Sequence, residues 1–270
     1  SLVLLCACGD ERTCHRSLVA KLIQDALPVP STAWEVGMSK NQLPPFGSGT
    51  SRCGRPVLLD LFSGAGGCAK GYQQADFYVI GVDLHPQPRY CGDEFSQEDA
   101  LLVLDLLLSG SIWHGYRLRD VAAIHASPPC QGYSRSRGIA SVHGVKEYPL
   151  LIGAVRSRLV QSGKPWVIEN VEGATLPDAI QLCGSQFGLP LRRHRWFASS
   201  GLLSAPGPCR HTPGFYNPVG KKIRGYGNLA SRTTYRDRKG ATRKREGYYR
   251  LAIGAQAMGI DWMTMSELCQ

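Results

Sequence analysis

Four short apolar runs alternate with stretches of helical pattern, and no other feature narrows the fold as far. They are VLLDLF from Val57, YVIGVDL from Tyr78, VAAIHAS from Val121 and PWVIENV from Pro165. Runs this brief and this rich in Val, Ile and Leu suit strands covered on both faces. Between them GAGGCAKGYQQA turns into a helix, and QEDALLVLDLLLS and LLIGAVRSRLVQSG read as two more helices. A strand, a helical crossover and another strand lie parallel, so the chain is expected to be α/β with a mostly parallel sheet.

Outside this frame the pattern changes. Residues 1–27 read as a strand, a loop and an amphipathic helix, and 28–55, ending QLPPFGSGTSRCGRP, as a linker. The α/β unit is expected over 56–197. From 198 to 250 the sequence is short in period, basic and aromatic, without regular strands, and 251–270 follows as a return segment. With 270 residues there is enough chain for a full core and for one or two domains. No apolar run approaches the roughly 18 residues that cross a bilayer. The start, SLVLLCACGDERTCHR, meets charge too soon for a secretory leader. Ten cysteines are too few for a disulfide scaffold of this size, so they are read as reduced thiols in a cytoplasmic protein.

The net charge of +10 is unevenly placed. Fifteen Lys and Arg lie between Arg192 and Arg250 against Asp237 and Glu246, while the rest of the chain is slightly acidic. A block of this kind is either the footprint of a polyanion partner or a solvated basic loop.

Asp60-Leu61-Phe62-Ser63-Gly64-Ala65-Gly66-Gly67 stands where a strand hands over to a helix. Glycines there allow close backbone approach, and the helix start favours acidic groups. Asp83, closing the next strand, could hold ribose hydroxyls of a nucleotide-like ligand. Asp99 could meet an adenine amino group or could cap the helix that follows it. Cys130 lies in HASPPCQGYS, where prolines stiffen a loop directly after an apolar strand. A thiol held in this way suits a nucleophile, whose attacking form is the thiolate.

DLFSGAGG, SPPCQGYS, ENV and LRRHRWF, in this order, resemble the DNA (cytosine-5-)-methyltransferases, most nearly the compact phage and bacterial enzymes. The likeness is strong over about 56–197 and fainter at AMGIDWMTMSEL. It implies a Rossmann-like fold of the S-adenosylmethionine-dependent methyltransferases and duplex DNA as substrate, with the target cytosine flipped out of the helix. By this resemblance Cys130 adds to carbon 6 of the base. Glu169, at the end of an apolar strand, shares a proton with ring nitrogen N3, a task suited to a buried carboxyl. Arg193 and Arg195, alternate residues of one strand, contact the cytosine oxygen, a phosphate and the catalytic loop, and Asn170 braces the loops. Asp60, Phe62, Ser63, Gly64, Ala65, Gly66, Gly67, Asp83, Asp99 and Pro129 become the cofactor residues.

The segment after the thiol, with Gln131, Tyr133, Arg135 and Arg137, would form a lid over DNA. The basic block would be the recognition region. Its Lys221, Lys222, Arg224, Arg232, Arg236, Arg238, Arg243, Lys244 and Arg245 would mainly grip phosphates. A cognate restriction endonuclease is a further partner the resemblance implies, and the enzyme is expected to be a monomer without membrane association.

Two departures stand beside this. The family closes with a helical segment near an Asn-Ala-Val-Pro or Ile-Pro-Pro signature, and this sequence stops at Leu268-Cys269-Gln270 before one. Residues 1–27 resemble the tail of a small bacterial domain of unassigned function. Cys6, Cys8, Cys14 and His15 do not have a usual zinc spacing, and Cys183 with Cys209 and His211 offers no better pair, so no metal is expected. The competing functions are methylation of cytosine in tRNA and DNA binding without turnover.

Overall fold

The computed structural model describes residues 54–134, 148–189, 192–201, 203–204 and 207–211, with the backbone of 234–236 and 242–244. Strand β1 (Val57–Leu61) leads to helix α1 (Gly67–Gln74), β2 (Tyr78–Asp83), β3 (Glu94–Gln97) and α2 (Ala100–Leu108). Then come β4 (Ala123–Ala126), α3 (Ile152–Ser162), β5 (Trp166–Asn170), β6 (Ile180–Cys183) and β7 (His194–Ser199). The seven strands form one sheet in the order β3-β2-β1-β4-β5-β7-β6. All are parallel except β7, which runs against both β5 and β6. This is the Rossmann-like α/β arrangement expected from the sequence.

Burial explains which strands the sequence announces. β1, β4 and β5 are buried at every position, because helices cover both faces of the sheet's centre. On one face Val57, Leu59, Leu61, Ile124 and Ile168 meet Val103, Leu104 and Leu107 of α2 and Val155 and Leu159 of α3. On the other, Leu58, Val79 and Val167 meet Cys68, Ala69 and Tyr72 of α1. Each large aliphatic side chain so buried contributes about 1.5–3 kcal/mol. A two-pronged Arg158–Asp105 ion pair joins α3 to α2, with N···O distances of 2.7 and 2.8 Å.

Two strands of this sheet carry no such announcement. β3 is the half-exposed edge segment EFSQ, and β6 is the short IQLC. Within the basic block, β8 (Thr234–Arg236) and β9 (Thr242–Lys244) pair antiparallel, where the sequence led us to expect only irregular chain. Among the described residues no helix is long and apolar enough to cross a membrane. Residues 1–53 and 245–270, and with them the expected N-terminal remnant, most of the linker and the return segment, lie outside the described residues.

From β1 the chain builds outward to β2 and β3, and then restarts on the other side with β4 and β5. Such a reversal leaves a crevice beyond the carboxyl ends of the strands, between β1 and β4, and ligands bind there in open α/β sheets. The glycine turn follows β1, and the Cys130 loop follows β4.

Candidate active site and cofactor crevice

The glycine turn is held by main-chain bonds and by one carboxylate. Phe62 has φ 58°, left-handed backbone that costs a non-glycine residue about 1–2 kcal/mol. Ser63 N–H donates to the Val82 carbonyl at 3.1 Å. Gly64 N–H donates to Asp83 Oδ2 at 3.0 Å, while His85 N–H donates to Oδ1 at 2.9 Å. Asp83 therefore ties the turn to the end of β2, and each oxygen keeps a further lone pair for a ligand. Gly66 has φ 85°, and a Cβ there would lie 3.0 Å from the Cys91 amide nitrogen, so both torsion and space demand glycine. Ala65 and Gly67 are buried beside it at the start of α1.

Asp60, one residue from the end of β1, is 1 % exposed, and its Oδ2 has no hydrogen-bond partner among the described residues. Burial, with a smaller push from Asp83, raises its pKa to about 8. The proton is thus retained in the fold and lost in the unfolded chain between an ordinary carboxylate pKa near 3.8 and about 8. The native state binds the extra proton in that window, so stability falls as pH rises through it. Asp60→Asn is expected to flatten this fall, measured as the thermal midpoint from pH 4 to pH 8.5. An equal slope in both proteins would mean that Asp60 ionises freely.

Asp99 is the N-cap of α2. Its Oδ1 accepts from Leu101 N–H at 2.7 Å and from Leu102 N–H at 3.3 Å, so of the two roles open to it the fold shows the cap.

The thiol loop is pinned from three sides. Ser127 N–H donates to the Leu61 carbonyl at 3.1 Å, extending the β1–β4 ladder past its last strand residue. Asn170, at the end of β5, donates from Nδ2 to the Pro128 carbonyl at 2.9 Å and accepts Val171 N–H on Oδ1 at 2.9 Å. That is the bracing expected of it. After Pro129, the Cys130 carbonyl accepts Tyr133 N–H at 3.0 Å and Ser134 N–H at 2.9 Å, closing a tight turn. Cys130 itself is half-buried and not in a disulfide. The Tyr133 hydroxyl accepts Ile152 N–H at 3.1 Å, and its ring packs on the core beside α3. This residue anchors the loop to the helix; Gln131 is exposed.

Beneath the loop lies a buried polar network that the sequence did not reveal. His125 of β4 has no exposed surface; its Nδ1 is 2.8 Å from Tyr72 Oη and its Nε2 is 2.9 Å from Ser127 Oγ. Burial lowers its pKa to about 3, so the ring is neutral. Its two nitrogens link Tyr72 of α1 to Ser127, the residue before the two prolines.

Glu169 and Arg195 meet across β5 and β7. Glu169 pairs in register with Phe197, and Arg195 lies two residues along the same face. Arg195 Nε lies 2.8 Å from Glu169 Oε1, with side-chain exposures of 14 % and 4 %. Arg193 is buried just before β7. The fold thus brings into contact two residues that the resemblance had placed in one site. It also brings Cys183, His194, Cys209 and His211 together, so that their candidate ligand atoms lie within 4.8 Å of one another. The sequence found no ligand pair there and did not count His194. Arg135, Arg137, Lys221, Lys222, Arg224, Arg232, Arg238 and Arg245 lie outside the described residues, and Arg236, Arg243 and Lys244 are described by backbone only.

No protein-family profile matches the chain. It is 28% identical over 210 residues to the type II methyltransferase M1.HphI of Haemophilus parahaemolyticus. That alignment takes in 63% of this chain and 53% of the relative, so the chain spans about half the length of the protein it matches. Solved structures align weakly. A Spodoptera frugiperda DNMT2 mutant is 19% identical, with 62% of this chain and 56% of that one covered and a TM-score of 0.36. The Entamoeba histolytica methyltransferase EhMeth is 17% identical, with 57% and 55% covered and a TM-score of 0.37.

Proposed function

We propose that the chain transfers a methyl group from S-adenosylmethionine to carbon 5 of a flipped-out cytosine in duplex DNA, with Cys130 as covalent nucleophile. The observation that carries this is the Asn170–Pro128 hydrogen bond, which couples the Cys130 loop to the strand end bearing the buried Glu169–Arg195 pair. The likeness to a type II methyltransferase supports the same reading.

The residues present fit the cofactor. Among the described residues Asp60 leaves a buried carboxyl oxygen without a partner, Gly66 keeps a space that a Cβ would crowd, and Asp83 retains acceptor capacity toward ribose hydroxyls. Phe62, Ser63, Gly64, Ala65, Gly67 and Pro129 complete the set that would hold it, and Asp99 serves it through the start of α2. When bound, S-adenosylmethionine supplies an electrophilic methyl group.

The chain's own residues make carbon 5 reactive. The Cys130 thiolate forms a bond to carbon 6 of the ring, and the displaced π electrons gather on carbon 5 and N3. Glu169 gives or shares a proton at N3, and Arg195 holds that carboxyl in place while Arg193 adds positive charge nearby. Once carbon 5 is methylated, its proton leaves to water, the carbon 5–carbon 6 double bond re-forms, the Cys130–carbon 6 bond breaks to release the thiolate, and N3 returns its proton to Glu169. The basic block from 198 to 250 mainly grips phosphates, with a few of its residues reading base edges.

The test is transfer of labelled methyl to duplex DNA and, separately, to tRNA, with nucleoside analysis of the product. 5-Methylcytosine in DNA supports the proposal. Label appearing only in tRNA moves the substrate to RNA, and salt-dependent DNA binding without transfer leaves a binding protein.

Replacing Lys221, Lys222 and Arg224 together by Gln is expected to lower the slope of log affinity against log salt by about 2.7, three phosphate contacts at about 0.9 each. Filter binding between 50 and 200 mM salt measures it. An unchanged slope would place the phosphate contacts elsewhere.

A further inference from the structure

We propose that Cys183, His194, Cys209 and His211 bind one zinc ion as a closed structural site on the sheet face opposite the Glu169–Arg195 pair. The β6–β7 register sets it up. Cys183 and His194 are direct partners in the antiparallel ladder, and such partners project from the same face. His194 and Arg195 are neighbours on β7 and so project from opposite faces.

The other two ligands arrive on the segment after β7, and the turn after Cys183 fastens them. Gln186 accepts Cys183 N–H on Oε1 at 2.6 Å and donates from Nε2 to the Gly207 carbonyl. Arg210 N–H donates to Ser185 Oγ at 3.2 Å, so Cys209-Arg210-His211 lies against the β6 end.

The spacings match a tetrahedron. Zn–S bonds of about 2.3 Å and Zn–N bonds of about 2.0–2.1 Å give edges of about 3.6 Å for S···N and about 3.3 Å for N···N. Cys183 Sγ lies 3.3 Å from His211 Nε2 and Cys209 Sγ 3.6 Å from His194 Nε2, while the two Nε2 atoms are 3.2 Å apart. Two thiolates and two imidazoles select zinc over harder cations, and a full set of four protein ligands leaves no open position for catalysis. Ser185 Oγ–H donates to Cys183 Sγ at 3.3 Å, the kind of outer hydrogen bond that orients a thiolate ligand. Zinc binding releases the two thiol protons to solvent. The ion would fasten the point where the chain leaves β7 for the basic block and, through β7, the strand that presents Arg195.

The experiment measures metal content and free thiols of the full chain purified under reducing conditions. One zinc per chain is expected to survive dialysis. Cys209→Ser with His211→Asn should lose it, and Cys6→Ser with Cys8→Ser and Cys14→Ser should keep it. In that last variant, cobalt(II) in place of zinc should show intense tetrahedral d–d bands and thiolate-to-cobalt charge transfer, a readout that holds even if the Cys209/His211 variant does not fold. A metal-free wild-type chain, zinc retained without Cys209 and His211, octahedral-type cobalt bands, or a Cys183–Cys209 disulfide would each overturn the site.

Discussion

Cys130→Ser is expected to lower methyl transfer by a factor on the order of 10³ or more, the scale of losing a covalent nucleophile. A serine hydroxyl is a far weaker donor to carbon 6 at neutral pH, and nothing else in the loop replaces the sulfur. The fold should survive, because the turn around residue 130 is held by the main chain: the Cys130 carbonyl takes two N–H groups and the Pro128 carbonyl takes Asn170. DNA binding should survive as well. The decisive measurement uses duplex carrying 5-fluorocytosine. Fluorine in place of the departing proton arrests release, so wild-type protein with cofactor should form an adduct stable to denaturing gels. The same adduct formed by Cys130→Ser would remove residue 130 from the chemistry.

Arg195→Met should destabilise the protein by about 3–5 kcal/mol, since it leaves the buried Glu169 carboxyl without its guanidinium partner. For a domain of this size that is a fall of about 10 °C in thermal midpoint. Glu169→Gln should be far milder, because the amide oxygen can still accept from Arg195 Nε. It should nevertheless slow transfer by about 10²–10⁴-fold, the range for losing a positioned proton donor. The double variant should recover more than half of the stability lost by Arg195→Met alone. Calorimetry of the four proteins and single-turnover transfer measure both effects. An Arg195→Met shift below 2 °C would show that water reaches Glu169 freely.

The centre of the sheet could be read from sequence because burial on both faces writes an uninterrupted apolar run. VLLDL, AIHA and WVIEN are buried throughout. The edge strand EFSQ is half-exposed and carries no such run, so only pairing with β2 reveals it. The site divides in the same way. Groups on contiguous motifs, the glycine turn and the Pro-Pro-Cys loop, were visible as residue types with local conformational demands. The Glu169–Arg195 contact depends on the antiparallel register of β7, which no local pattern encodes. Cys183 was weighed as a ligand and set aside, and His194 was not counted, because their proximity is a property of a ladder, not of a short spacing. His125 looked like one more residue of an apolar strand; its Tyr72 partner comes from α1, the helix of the crossover between β1 and β2.

The alternation along β7 makes this hairpin intolerant of slippage. If the strand slid by one place against its neighbours, the guanidinium would turn to the sulfur cluster and the imidazole to the carboxyl. Length changes between Cys183 and His194 must therefore be absorbed at the tip of the connection, leaving the ladder in phase.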